Sequence, residues 1–282
     1  MKDFVVIPNT NKDRDLRVTD SVVERLISYG FSVYVHEDTG YSREGVITYS
    51  EFPEHIDLMI VVGGDGSVID ASGIAIDRDI PILGVNLGRL GYLTEVELDD
   101  LDILGRLVNG DFCITEKMLL CVDFGNDKPR CERYAVNDVT IARESFLHIA
   151  DIKIEDSIGN VVRLRADGVI LSTPQGSTAY SFSAGGPIVS HDVESILLTP
   201  ISPHSMFNRS VLFNSSDVIK VTNTGELSLN LSMDGRCVAE LAPGDFCRIM
   251  KASRTVRMLT FKKNSMFSNL FKKMRILGDI EK

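Results

Sequence analysis

The apolar run Asp57-Leu-Met-Ile-Val-Val62 ends in Gly63-Gly64-Asp65-Gly66-Ser67, and this junction constrains the fold more than any other stretch. The run is too short for a helix and is bounded by glycine, so it reads as a buried parallel strand. Apolar residues at positions 68, 69, 71, 74 and 75 then follow helical spacing. A strand, a glycine turn and a helix present backbone N–H groups and a helix N-terminus to an anion. Asp65 adds a carboxylate inside that turn, able to take a proton from a hydroxyl attacking a phosphate or to help hold its metal. The same residue would also suit a plain tight turn in which Asp caps the helix.

The strand–helix alternation continues on both sides of this junction. Phe4–Pro8 and Phe31–His36 read as strands, residues 14–29 as a helix ended by Gly30, Ile80–Val85 as a strand and Leu98–Val108 as a helix. Such alternation predicts a parallel, Rossmann-like sheet whose ligands sit beyond the carboxyl ends of the strands. Gly63–Gly66 and the loop Asn86–Tyr92 both fall at such ends, where they would line one crevice.

Near residue 110 the pattern changes to short strands separated by turn residues. Met118–Phe124, Tyr134–Arg143, Ile149–Glu155, Val161–Leu164, Gly168–Ser172 and Val211–Phe213 are candidates. Val218–Val221, Leu227–Met233, Phe246–Met250 and Val256–Phe261 continue the series. This spacing predicts an all-β, sandwich-like domain. The reading is an α/β domain over 1–110, a β-rich domain over 111–262, and a helix over 263–282 that packs back on the body.

Of the 282 residues, 30 are Lys or Arg and 40 are Asp or Glu, a net charge of −10 that argues against a nucleic-acid partner. No run reaches the ~18 apolar residues of a membrane span, and the chain enters its first strand at once, without a visible secretory signal. Cys113, Cys121, Cys131, Cys237 and Cys247 are odd in number and lack CxxC spacing, so reduced thiols of a cytoplasmic protein are expected. Neither these nor the five histidines form a metal-ligand pattern.

Two stretches of the second domain carry chemistry. Asn137-Asp138 interrupts the apolar strand Tyr-Ala-Val-Asn-Asp-Val-Thr-Ile, which is costly unless the pair is partnered or faces a ligand. Together they offer donors and acceptors suited to ribose hydroxyls or a base edge, although a bulge or a surface face would serve equally. The segment Arg165–Pro187 is rich in glycine and small hydroxyl residues. It has little bulk to bury, so it reads as a loop that lets a ligand approach the backbone.

Taken in order, these blocks resemble the NAD kinase family. The resemblance runs through Gly63-Gly64-Asp65-Gly66, Asn86 to Thr94, Val136-Asn137-Asp138, Asp167-Gly168 and Ser172 to Pro187, then Pro203-His204-Ser205, Asn208-Arg209 and Asp234-Gly235. The GGDG element is shared with diacylglycerol and sphingosine kinases, whereas the 173–187 stretch is specific. The resemblance implies phosphorylation of the 2′-hydroxyl of the adenosine ribose of NAD to give NADP, using ATP or polyphosphate and a divalent cation such as Mg2+. It implies Asp65 as the catalytic acid and the glycines 63, 64 and 66 beside the phosphates. Tyr92 replaces a common Phe of the family, and Asn137, Asp138, Asp167, Thr178, Ala179, Tyr180, Ser183 and Asp234 would line the dinucleotide site. It also implies a homodimer or homotetramer. Asp138 stands where the family more often has Glu, one methylene longer. No arginine finger or Walker lysine is recognisable. Two other readings remain: a lipid or sugar kinase sharing only the GGDG fold, and a non-catalytic NADP(H)-binding sensor.

Overall fold

The computed structural model describes residues 1–88, 91–124, 133–144, 148–204 and 206–261. The helix expected over 263–282 lies outside the described residues. The chain divides into two compact units, Met1–Glu116 with the residues from Val256 on, and Lys117–Thr255.

In the first unit, β1 (Asp3–Pro8), α1 (Arg17–Ser28), β2 (Ser32–His36), β3 (Val46–Tyr49), β4 (Leu58–Gly63), α2 (Asp65–Arg78) and β5 (Ile82–Asn86) follow in sequence. The five strands pair in parallel in the order β5-β4-β1-β2-β3. The order reverses between β1 and β4, which is where open α/β sheets open a crevice beyond their strand ends. Leu58, Met59, Ile60, Val61 and Val62 are fully buried, each contributing roughly 1.5–3 kcal/mol of hydrophobic stabilisation. That burial on both faces explains the unbroken apolar run. Val22, Val23 and Leu26 of α1 pack onto the same core as Phe4, Val6, Val33 and Ile60.

Helix α1 begins at Arg17, three residues later than its apolar spacing predicts. Leu16 adopts a left-handed conformation (φ 54°), and the Asp13 carboxylate accepts the amides of Val18 and Thr19 at 3.2 and 2.8 Å. The expected helix Leu98–Val108 is instead a 3-10 segment, Leu98–Leu107, broken at Asp100 (φ −127°, ψ 33°). The short strand β3 carried too little alternation to be read from sequence.

The second unit is antiparallel. Its elements are β6 (Cys113–Asp123), β7 (Tyr134–Ala135), β8 (Asp138–Arg143), β9 (Ala150–Glu155), β10 (Val161–Ala166), β11 (Gly168–Ser172), a 3-10 turn (Gln175–Thr178) and α3 (Tyr180–Ser183). Then come β12 (Ser195–Ile201), β13 (Val211–Asn214), β14 (Ile219–Asn223), β15 (Leu229–Met233), β16 (Arg236–Leu241) and β17 (Phe246–Thr260). One set of strands runs β10-β9-β14-β17 and the other β13-β12-β11-β8-β15-β16. Alternate residues from both sets, among them Ile141, Ile152, Leu171, Ile196, Leu231 and Ile249, fill a shared core. The strands β12 and β16 were not anticipated, and the strand expected over Tyr134–Arg143 is split at Val136-Asn137.

Cys113, Cys237 and Cys247 are free thiols, whereas Cys121 takes part in a disulfide, contrary to the expectation of reduced thiols throughout. No helix among the described residues is long and apolar enough to cross a membrane.

Candidate active site

The two units each carry one group of the residues singled out from sequence. In the first unit, Gly64 caps α2 in extended conformation and Asp65 is the first residue of the helix. Its carboxylate does not cap its own helix. Oδ2 accepts the Tyr92 amide at 2.8 Å and Oδ1 accepts the Leu93 amide at 3.0 Å. The loop after β5 therefore meets the glycine turn, as their shared place at strand ends predicts. Gly91 packs so tightly on this carboxylate that a Cβ there would overlap Asp65 Oδ1 and Thr94 Oγ1. The Thr94 hydroxyl is buried without a hydrogen-bond partner among the described residues. Burial, and secondarily the Asp65 charge, raise the Tyr92 phenol above its ordinary range.

Gly63 is required for a second close approach, since a Cβ there would overlap the Ser67 side chain. Ser67 Oγ in turn accepts Nδ2 of Asn9 at 2.7 Å. Asn9 lies just beyond β1 and ties the β1–α1 loop to the first turn of α2. No sequence signal marked Asn9, because its partner lies 58 residues away.

In the second unit, the break between β7 and β8 has a clear cause. The Asp234 carboxylate accepts three consecutive amides, those of Val136 (2.7 Å), Asn137 (2.7 Å) and Asp138 (3.0 Å). Three N–H groups aimed at one carboxylate cannot also alternate as a strand requires. From the other side, the Thr173 amide donates to the Asn137 carbonyl at 2.9 Å and its hydroxyl to the Val136 carbonyl at 2.7 Å. Gly176 closes the clamp, for a Cβ there would overlap the Asn137 carbonyl. The Asn137 backbone is thus fixed and its carboxamide makes no described hydrogen bond.

Asp138 is buried and lies opposite Ser172 in the β8–β11 register. Burial, then the nearby Asp234 charge, push its carboxyl up to about 7. Burial also raises Asp234, against the pull of its three amides. A carboxyl raised this far can donate a hydrogen bond as well as accept one.

The 173–187 stretch corrects the expectation of a loop with little to bury. Thr173, Gln175, Ser177 and Ser181 are buried. Ser177 Oγ donates to the Pro174 carbonyl and accepts the Val189 amide, and Ser181 bonds Thr199 at 2.8 Å. Small hydroxyl residues here replace backbone partners in a tightly wound turn. Thr178, Tyr180 and Ser183 stay at least partly exposed, and Thr178 Oγ1 bonds the Gln175 carbonyl at 3.2 Å. Asp167 forms an ion pair with Arg143 at 2.7 Å. Arg143 lines a cavity of about 870 Å³ with Asp151, Arg165 and Thr224, which includes neither Asp65 nor any of the expected dinucleotide-binding residues.

The first unit thus holds a carboxylate at a glycine turn on a helix N-terminus, an arrangement of the kind that receives phosphate, and the second holds a backbone-fixed Asn–Asp pair. Residues 4–112 match the family described as the ATP-NAD kinase N-terminal domain, and residues 136–261 that described as the ATP-NAD kinase C-terminal domain. An NAD kinase of Caldanaerobacter subterraneus subsp. tengcongensis is 37% identical over 281 residues, covering 97% of this chain and 99% of its own length. An NAD kinase of Geobacter sulfurreducens is 38% identical over 236 residues, covering 83% of each. Among solved structures, yeast NADH kinase complexed with NADH is similar with a TM-score of 0.84 at 23% identity, covering 97% of this chain and 87% of that one. An NAD kinase from Archaeoglobus fulgidus in complex with ATP gives 0.72 at 24% identity, covering 98% and 99%. The chain belongs to the NAD kinase family.

Proposed function

We propose that this enzyme transfers the γ-phosphoryl group of ATP to the 2′-hydroxyl of the adenosine ribose of NAD, giving NADP and ADP. The observation that carries the reading is the Asp65 carboxylate, held by two backbone amides at the mouth of a glycine turn. Phosphoryl transfer asks mostly for alignment and charge stabilisation. A ribose hydroxyl is a weak nucleophile at neutral pH, and a fixed carboxylate takes its proton as the new P–O bond forms. Gly63, Gly64 and Gly66 leave room for phosphate oxygens at the N-terminus of α2.

The dinucleotide is assigned to the second unit. The free carboxamide of Asn137 and the protonatable Asp138 suit ribose hydroxyls, with Asp234 as the anchor of both. Thr178, Ala179 and Tyr180 would hold adenine and ribose, while Asp167 and Ser183 would line the remainder and Tyr92 the phosphate side. The match of residues 136–261 to the C-terminal domain family favours this over a lipid or sugar kinase.

Among the described residues no group of three or more His, Cys, Asp or Glu side chains is placed to hold a metal. A divalent cation such as Mg2+ would come with the ATP phosphates and offset the charge on their oxygens. A homodimer or homotetramer completes the proposal. Purified protein given NAD, ATP and magnesium should form NADP in a coupled assay. Phosphorylation of a lipid or sugar with NAD left unchanged would refute the assignment.

A further inference from the structure

The reaction leaves one group unaccounted for, the cation that stabilises the phosphoryl in transit. The structure assigns this part to Lys12, which no motif marks. Its Nζ lies 3.2 Å from the position a Cβ on Gly64 would take, directly over the glycine turn. The backbone that carries Lys12 is pinned on both sides. Its amide donates to Oδ1 and the carbonyl of Asn9, at 3.2 and 3.0 Å. Asn9 is tied to Ser67 in the first turn of α2. On the far side, buried Asp13 is locked by the Val18 and Thr19 amides and the Thr19 hydroxyl. The lysine side chain itself is exposed and has no ion-pair partner among the described residues.

A cation near a helix N-terminus meets the positive end of the helix dipole, and Lys12 forms no ion pair with a described carboxylate. An anion on the turn would satisfy the lysine, the helix terminus and the glycine amides together. Lys12 follows β1 and Gly64 follows β4, the neighbouring strands at which the sheet order reverses. A lysine from one strand end thus does for this turn what a lysine inside the turn does in a P-loop.

Resting on the phosphotransferase reading above, the step runs as follows. The ribose 2′-oxygen forms a bond to the γ-phosphorus, and its proton passes to Asp65. The bond from the γ-phosphorus to the β–γ bridging oxygen breaks, and ADP leaves with that electron pair. Lys12 meets the phosphate oxygens on which negative charge lies throughout, as a catalytic residue in contact with the donor.

The test compares the parent with Lys12→Met, which keeps the stem, and Lys12→Arg, which keeps the charge. Lys12→Met should lower kcat/KM for ATP by roughly 10- to 150-fold, the worth of a hydrogen bond to a charged group. KM for NAD should change less than threefold, Tm should stay near the parent value, and Lys12→Arg should recover most of the loss. Calorimetric binding of ATP alone, at two salt concentrations, gives a readout independent of NAD: Lys12→Met should bind more weakly and with a smaller salt dependence. A parent that binds ATP but makes no NADP overturns the acceptor assignment only. Kinetics and ATP affinity of Lys12→Met within threefold of the parent overturn the role of Lys12.

Discussion

Gly91 touches the Asp65 carboxylate so closely that a single added methyl carbon would overlap Oδ1. What excludes a side chain here is space. The prediction is that Gly91→Ala displaces the carboxylate and lowers kcat by about 10²-fold, the usual effect of a misplacement near 1 Å. Overpacking should also cost about 1–3 kcal/mol of stability. Steady-state kinetics with melting curves on one preparation check this, and turnover within threefold of the parent contradicts it.

Asp65→Asn should reduce kcat by roughly 10²–10⁴ through loss of the base. The hydrogen bonding adds a second consequence. Both carboxylate oxygens accept amides, so an Asn must turn its NH2 group toward one of them. That unpaired contact costs about 1–3 kcal/mol, and NAD affinity, measured by calorimetry, should remain near the parent value. An active variant with lowered stability would mean that Asp65 only braces the 92–93 loop.

Asn137→Ala removes a carboxamide from a backbone held on both sides by Asp234 and Thr173. The fold should tolerate the change, with Tm little altered. Loss of one hydrogen bond of about 0.5–1.5 kcal/mol predicts KM for NAD raised by roughly 2- to 12-fold. KM for ATP should stay within twofold; equal increases for both substrates would argue for a structural role.

Asp138 gives a pH dependence with a defined sign. Its folded value is about 7 against an ordinary 3.8. Between about pH 4 and 7 the unfolded chain gives up this proton while the folded chain keeps it. Stability therefore falls as pH rises through that window and levels off above it. His191, lowered to about 4 by burial and by Lys117, acts in the opposite sense below about pH 6.5. The difference between Asp138→Asn and the parent isolates the carboxyl: the variant should gain on the order of 2 kcal/mol on the parent from pH 5 to 8. Urea midpoints that run parallel across this range would exclude the shift.

The chain mass is 31.2 kDa. Edge strands of antiparallel sheets are often covered by a symmetry mate, and light scattering at micromolar protein should give two or four times that mass. A monomer value would rule out the proposed assembly.

The apolar run 57–62, the glycine turn and the switch to short strands were legible because each follows from local chemistry: burial on both faces, phosphate-sized turns, period-two alternation. The block order from Gly63 to Gly235 likewise sufficed to find the family. What the sequence could not contain is pairing at a distance. Asp234 breaks a strand 97 residues earlier in the chain by taking the Asn137 amide, so the strand expected across Tyr134–Arg143 could not be seen to split. The small residues of 165–187 read as an open loop for a ligand, but tertiary contacts with Val189 and Thr199 claim the hydroxyls of Ser177 and Ser181. Asp65 was open to two roles, and the amides of Tyr92 and Leu93 decided against the helix cap. Lys12 was one unremarkable lysine in a polar loop. Only the strand order, which sets β1 beside β4, brings its ammonium over Gly64.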